Sequence, residues 1–163
     1  MFVPRLALAG TALMLGAPLA SAQQQQADPM RFFVGRTETH GTMKVIFKKP
    51  YRTSSVGEGR IEGDGSLMLV QQVVDDGQAP RERSWRVRRT GPEQYAGTMS
   101  EATSPVTIDK SGDRYRFRFT MKGGLSVEEW LTPLPGNRAA STVTQVRRFG
   151  MTVATAQSVI RKT

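Results

Sequence analysis

Arg83 and Trp85 stand two positions apart, Val87 follows, and Glu82, Ser84, Arg86 and Arg88 take the alternate positions. In an extended strand this spacing puts Arg83, Trp85 and Val87 on one face. The apolar pair belongs inside, so Arg83 is carried inward or to the rim, where a guanidinium needs an acceptor. Glu129, on a face with Leu125, Val127 and Leu131, is one candidate; Glu38 and Glu101 are others. Two chemistries follow: an arginine that binds an anionic ligand in a cavity, or an ion pair that closes the interior.

Glu128 and Glu129 invite an acid/base reading, but consecutive strand residues face opposite ways and cannot flank one bond. His40 is the single histidine and the chain has no cysteine. A lone histidine makes no two- or three-histidine zinc site, and no nucleophile elbow or metalloprotease motif accompanies it. Asp75-Asp76-Gly77 lacks the ligand series of a calcium loop and reads as a hairpin turn. Gly57, Gly59, Gly63 and Gly65 precede no phosphate-loop lysine. Arg114, Arg116 and Arg118 recur at every second position and form a basic ridge, to which Arg86, Arg88 and Arg89 add. A solvated strand face is the plainer reading of that ridge. Its guanidinium forks also suit phosphate or carboxylate groups.

The elements that position these residues are strands. Tyr115, Phe117, Phe119 and Met121 alternate with Arg114, Arg116, Arg118 and Thr120, the mark of a half-buried strand. Met43, Val45 and Phe47 alternate in the same way with Thr42, Lys44, Ile46 and Lys48. Leu67–Val74 is apolar on both faces apart from Gln71 and Gln72, which predicts a more deeply buried strand. Met151, Val153 and Thr155 read as strand too. Turn signals recur between such runs, at 63–65, 75–77, 90–92, 110–113, 122–124, 133–137 and 149–150. After residue 30 no apolar pattern holds a helical period for three turns. Eight to ten short antiparallel strands in simple hairpins predict an all-β fold, an up-and-down barrel or half-barrel, with a two-sheet sandwich as runner-up. Small barrels are usually filled by their own side chains, which favours the ion pair for Arg83.

The 163-residue chain has 38% hydrophobic residues and a formal net charge of +9. It is long enough for one domain and too apolar for a wholly disordered chain. Arg5, the apolar run from Leu6 to Leu15 and Ala20-Ser21-Ala22 have the order of a secretory signal, so 1–22 is expected to be a signal peptide cleaved after Ala22. Residues 23–30 read as a flexible polar leader and 31–163 as the barrel domain. Export to a periplasm or outside the cell makes nucleic acid an unexpected partner. The basic charge then points to anionic lipid, acidic glycan or acidic protein.

Phe33 to Gly41 (FVGRTETHG), Arg83-Ser84-Trp85, Tyr95-Ala96-Gly97, Glu128-Glu129-Trp130 and Arg148-Phe149-Gly150 occur in order along the mature chain. In this the sequence resembles a family of bacterial exported proteins, lipocalin-like in fold and known only as a domain of unknown function. The resemblance implies a small barrel or half-barrel and no particular activity. Many such proteins carry a lipoprotein cysteine, which this chain lacks. The expectation is an exported binder of a small amphiphilic or anionic ligand. Arg83 would lie near its charged group, with Trp85, Tyr115 and Phe117 along its apolar part, and Glu129 is a further candidate ligand-binding residue. The alternative is a structural or interaction protein presenting the Arg ridge to an anionic membrane surface or acidic partner. No cofactor or metal is expected, and an enzymatic reading has the least support.

Overall fold

The structure, a computed structural model, describes residues 28–163; the expected signal peptide and residues 23–27 of the leader lie outside the described residues. A single helical turn, α1 (Pro29–Phe32), precedes ten strands: β1 (Gly35–Val45), β2 (Tyr51–Ile61), β3 (Leu67–Asp75), β4 (Arg81–Gly91), β5 (Gln94–Met99), β6 (Val106–Ser111), β7 (Arg114–Met121), β8 (Leu125–Pro133), β9 (Ala139–Arg148) and β10 (Met151–Lys162). Each strand pairs antiparallel with its sequence neighbours, and β1 pairs with β10 from Thr37–Lys162 to Val45–Ala154. The result is a closed up-and-down barrel, lipocalin-like, with no free sheet edge.

The alternation in the sequence sets the two faces. In β7, Tyr115 and Phe117 are buried while Arg114 and Arg118 are exposed. In β4, Arg81, Arg83, Trp85 and Val87 face inward, and Glu82, Arg86 and Arg88 are exposed. Charged residues thus occupy the outer wall, the reverse of a membrane-spanning barrel, whose outer band is apolar. Among the described residues no helix is long and apolar enough to cross a membrane. Turn chemistry closes the hairpins: Phe149 (φ 49°) and Gly150 (φ 77°) form the two-residue loop between the paired Arg148 and Met151. Two successive left-handed residues match the strand twist there.

Three expectations are corrected. The leader does not extend to residue 30: Asp28 Oδ1 accepts the Met30 N–H at 3.0 Å, Pro29 begins α1, and Met30 is buried. An N-cap acid followed by proline starts a helix, here one turn that plugs a barrel end. β3 is buried on one face only. Leu67, Leu69 and Val73 point inward, whereas Val74 is 43% exposed, because no second layer covers the outside of a single closed sheet. The β1 strand ends at Val45, and Phe47 sits at the hairpin tip with φ 61° and 99% exposure rather than on an inward face. The Lys48 N–H donates to the Val45 carbonyl at 3.0 Å, so the chain turns there despite lacking glycine.

Candidate ligand-binding site

Inside the barrel lies a cavity of about 570 Å³. That is within the roughly 300–1,000 Å³ typical of small-molecule sites. Its floor is Pro29, Met30 and Phe33 from α1 and the residue after it, packed against Leu67 and Leu69. The plug sits close to β2: a Cβ at Gly59 would overlap the Phe33 carbonyl, so only glycine admits the helix there. The walls are mainly apolar, among them Leu69, Val87, Phe117, Val127, Ala156 and Ile160. Trp85 stands edge-on to Phe117, with ring centroids 6.5 Å apart, and to Phe119 at 5.9 Å. The mouth lies at the opposite end, bounded by Ile46, Tyr51, Gln78, Met121, Leu125 and Val153.

Polar side chains also line this wall, among them Thr53, Gln71, Thr142, Thr144 and Ser158, beside the charged Asp75, Arg81, Arg83 and Glu129. Arg83 donates from Nε to Glu101 Oε2 at 2.7 Å. Arg81 donates to Glu101 Oε1 at 2.7 Å and to Asp75 Oδ2 at 2.6 Å. Glu101 follows β5, where the chain leaves the sheet before Ala102 bridges to Met121. Burial pushes the Glu101 carboxyl up. The Arg83 charge and hydrogen bonds from both arginines outweigh it, leaving its pKa below the ordinary value. Asp75 is likewise lowered on balance, its burial outweighed by hydrogen bonds from Thr53 and Arg81 and by the charges of Arg81 and Arg83. Glu129 differs. It accepts a hydrogen bond from Thr144 Oγ1 at 2.7 Å, and burial raises its pKa against that bond and the Arg83 charge. The Trp85 indole donates to Gln71 Oε1 at 2.8 Å. Two guanidinium groups therefore meet two carboxylates, Asp75 and Glu101, which leaves no surplus positive charge for an anion.

The sequence-predicted residues divide accordingly. Arg83, Trp85, Phe117 and Glu129 all line the cavity. Glu101, one of the three offered partners, holds Arg83; Glu38 instead pairs with Arg36 on the outer wall. Tyr115 is inward and buried but lies at the closed end. It borders a separate depression with Asp28 and Leu131, and burial pushes its phenol up to about 12. The interior is hollow rather than filled, although the ion pair favoured for Arg83 is present. Glu128 and Glu129 face opposite sides, Glu128 accepting from the Trp130 indole outside at 3.1 Å. His40 is exposed on β1. In the Arg ridge, Arg116 and Arg118 share Asp109, at 3.5 and 2.8 Å, and Arg114 lies 4.4 Å over the Trp130 ring. These contacts take up much of the ridge's charge. Sequence reasoning passed over Gln71, whose signal was a lone polar residue on the apolar face of β3, and the plug, whose signal was Asp28-Pro29.

Comparison with solved structures places the fold among barrels. The chain is similar to the S-type phycobiliprotein lyase CPES from Guillardia theta (TM-score 0.63, 7% identity, 82% of this chain and 90% of that one). It is similar also to a protein of unknown function of the DUF3598 family from Nostoc punctiforme (TM-score 0.61, 10% identity, 84% and 50%). A third is Rv2717c from M. tuberculosis (TM-score 0.60, 14% identity, 87% and 98%). At such identities the likeness establishes the fold alone. Among curated proteins no match to the sequence was found. The profile of the family described as "Protein of unknown function (DUF3833)" matches residues 14–162, so the chain belongs to that family.

Proposed function

We propose that this protein binds a small amphiphile, whose apolar body occupies the barrel beside Trp85 and Phe117. The observation that carries this reading is the hollow, mainly apolar cavity, closed below by α1 and bounded above by hairpins. Predominantly apolar walls with polar groups set among them are the usual make-up of such sites. Glu129 is the polar group best placed to orient a ligand. With its pKa raised, it meets an uncharged head group or a hydrogen-bond donor more readily than an anion. An anionic head would have to take Arg83 from Glu101, which already holds it at 2.6 Å. The phycobiliprotein lyase shares the fold at 7% identity, which supports the barrel and carries no lyase activity to this chain.

Native mass spectrometry of protein isolated from its own cells tests the reading. The expected result is a single co-purified small amphiphile per barrel, lost from a cavity-filled Ala156→Phe variant that melts normally. Equal small-molecule adducts on both proteins would overturn it. The same spectra report the N-terminus, for which we propose cleavage after Ala22. An intact mass that begins at Met1 would contradict export by that signal.

A further inference from the structure

Two neighbouring hairpins at the mouth hold large apolar side chains out in water. Ile46 and Phe47 in the β1–β2 hairpin are 49% and 99% exposed; Phe149 and Met151 in the β9–β10 hairpin are 86% and 67% exposed. The hairpins lie side by side, because β1 pairs with β10 and the Ile46 N–H donates to the Val153 carbonyl at 2.9 Å. The four side chains therefore belong to one region. Phe47 (φ 61°) and Phe149 (φ 49°) both occupy left-handed backbone, where glycine or asparagine is the unstrained choice. A bulky aromatic at each tip, held outward against that preference, marks an interaction surface.

Charge identifies the partner. Residues 43–52 and 146–153 contain Lys44, Lys48, Lys49, Arg52, Arg147 and Arg148 and no acidic residue; of these Arg52 is paired with Asp76 of the neighbouring β3–β4 hairpin at 3.2 Å. Lys122 lies at the next tip along, between β7 and β8. Lys48, Lys49 and Arg148 make no ion pair among the described residues. The Arg148 guanidinium lies 5.3 Å over the Phe149 ring, joining a cation to an apolar tip. The tips project and form no groove, so a layer that yields around them suits them better than a rigid surface needing matched pockets.

We propose that the barrel mouth docks on an anionic lipid bilayer. Phe47 and Phe149 enter the boundary between head groups and acyl chains, and Lys48, Lys49 and Arg148 meet lipid phosphates. The charged outer wall stays in water, so only the tips enter. Docking goes beyond ligand binding. Resting on that earlier reading, it also turns the cavity mouth toward the lipid, where an amphiphile can pass without crossing water.

Co-sedimentation with vesicles tests this, using protein isolated from cells with its N-terminus verified. The vesicles are phosphatidylglycerol mixed with phosphatidylcholine, or phosphatidylcholine alone. Wild type is expected to pellet with the anionic vesicles and not the neutral ones, and to be released as salt shortens the screening length to about 3 Å at 1 M. Phe47→Ser with Phe149→Ser is expected to weaken binding at least about tenfold. Lys48→Gln, Lys49→Gln and Arg148→Gln together should weaken it roughly a hundredfold, about fivefold per cation. The control, Arg114→Gln with Arg116→Gln and Arg118→Gln, should stay within about twofold of wild type. Because a variant can fail to fold, Phe47→Trp supplies a second readout: its emission should shift to the blue on anionic vesicles. Docking is overturned by wild type that stays in the supernatant with both vesicles, by unchanged binding of the tip variants, or by an unshifted Phe47→Trp spectrum. Uptake of N-phenylnaphthylamine by the same tip variants in vesicle-free buffer reports the cavity alone, so the two readings fail separately.

Discussion

Arg81 and Arg83 leave β4 on the same inward face, and both donate to Glu101. Removing Arg83 leaves Glu101 one guanidinium rather than none. Arg83→Ala is therefore expected to cost about 1–3 kcal/mol, the range for a buried group losing one charged partner, rather than the roughly 3–5 kcal/mol of a fully orphaned charge. Arg116→Ala, on the outer wall, should cost about 0.5–1 kcal/mol. Denaturant midpoints at unchanged slope give the comparison, and equal midpoints would show that the inward network is not structural. Glu129 behaves in the opposite sense to its acidic neighbours. Asp75 and Glu101 have lowered folded-state pKa values, so their contribution is complete above the unfolded carboxylate value of about 4 and is lost as pH falls through the folded values. Glu129 has a raised folded-state value, so the folded chain holds its proton more tightly. Its contribution is complete below the unfolded value of about 4.3 and is lost as pH rises through the folded one. Glu129→Gln should accordingly raise the melting temperature near neutral pH and give no gain at about pH 4. A gain of equal size at both values would contradict the assigned titration.

Among the elements, α1 controls the floor. One helical turn has no stability of its own and persists through its cap and packing. Met30 is 6% exposed and joins the core with Leu67 and Leu69. Asp28→Ala should cost about 1 kcal/mol by loss of the cap. Met30→Ala should cost about 2–4 kcal/mol and speed release of a cavity-bound probe in stopped-flow measurements. An unchanged release rate in a clearly destabilised Met30→Ala protein would show that ligand does not reach the plug. The elements also show what the sequence made legible. β4, β7 and β8 were readable because large apolar residues alternate with polar or charged ones, and that alternation put Arg83 and Trp85, Phe117, and Glu129 on inward faces. The β1–β2 hairpin was not, since apolar alternation runs through Phe47 and no glycine marks the turn. The helix was hidden for the opposite reason: one turn is too short to show a period, leaving only Asp28-Pro29. Glu101 was one of three equivalent partners until the path of the chain after β5 chose it, a long-range fact that strand alternation does not hold.

At the scale of the whole molecule, strand number decides what the interior can be. About eight strands give a lumen that side chains just fill or that holds one small ligand, and width grows with strand number. The turns allowed eight to ten, and that range spans the difference between a plugged and a hollow barrel. Ten strands close here, and the cavity remains. Closure also puts the cationic hairpin tips, the mouth and the plug on one axis, giving the molecule distinct ends. The most direct test of the central claim is a fluorescence titration in the Trp130→Phe background, where Trp85 is the remaining tryptophan. Added N-phenylnaphthylamine should quench Trp85 emission saturably at one site per barrel, and Ala156→Phe should abolish that quenching while the melting curve is retained. Linear quenching without saturation, or identical titrations of the open and filled barrels, would contradict a ligand-binding interior.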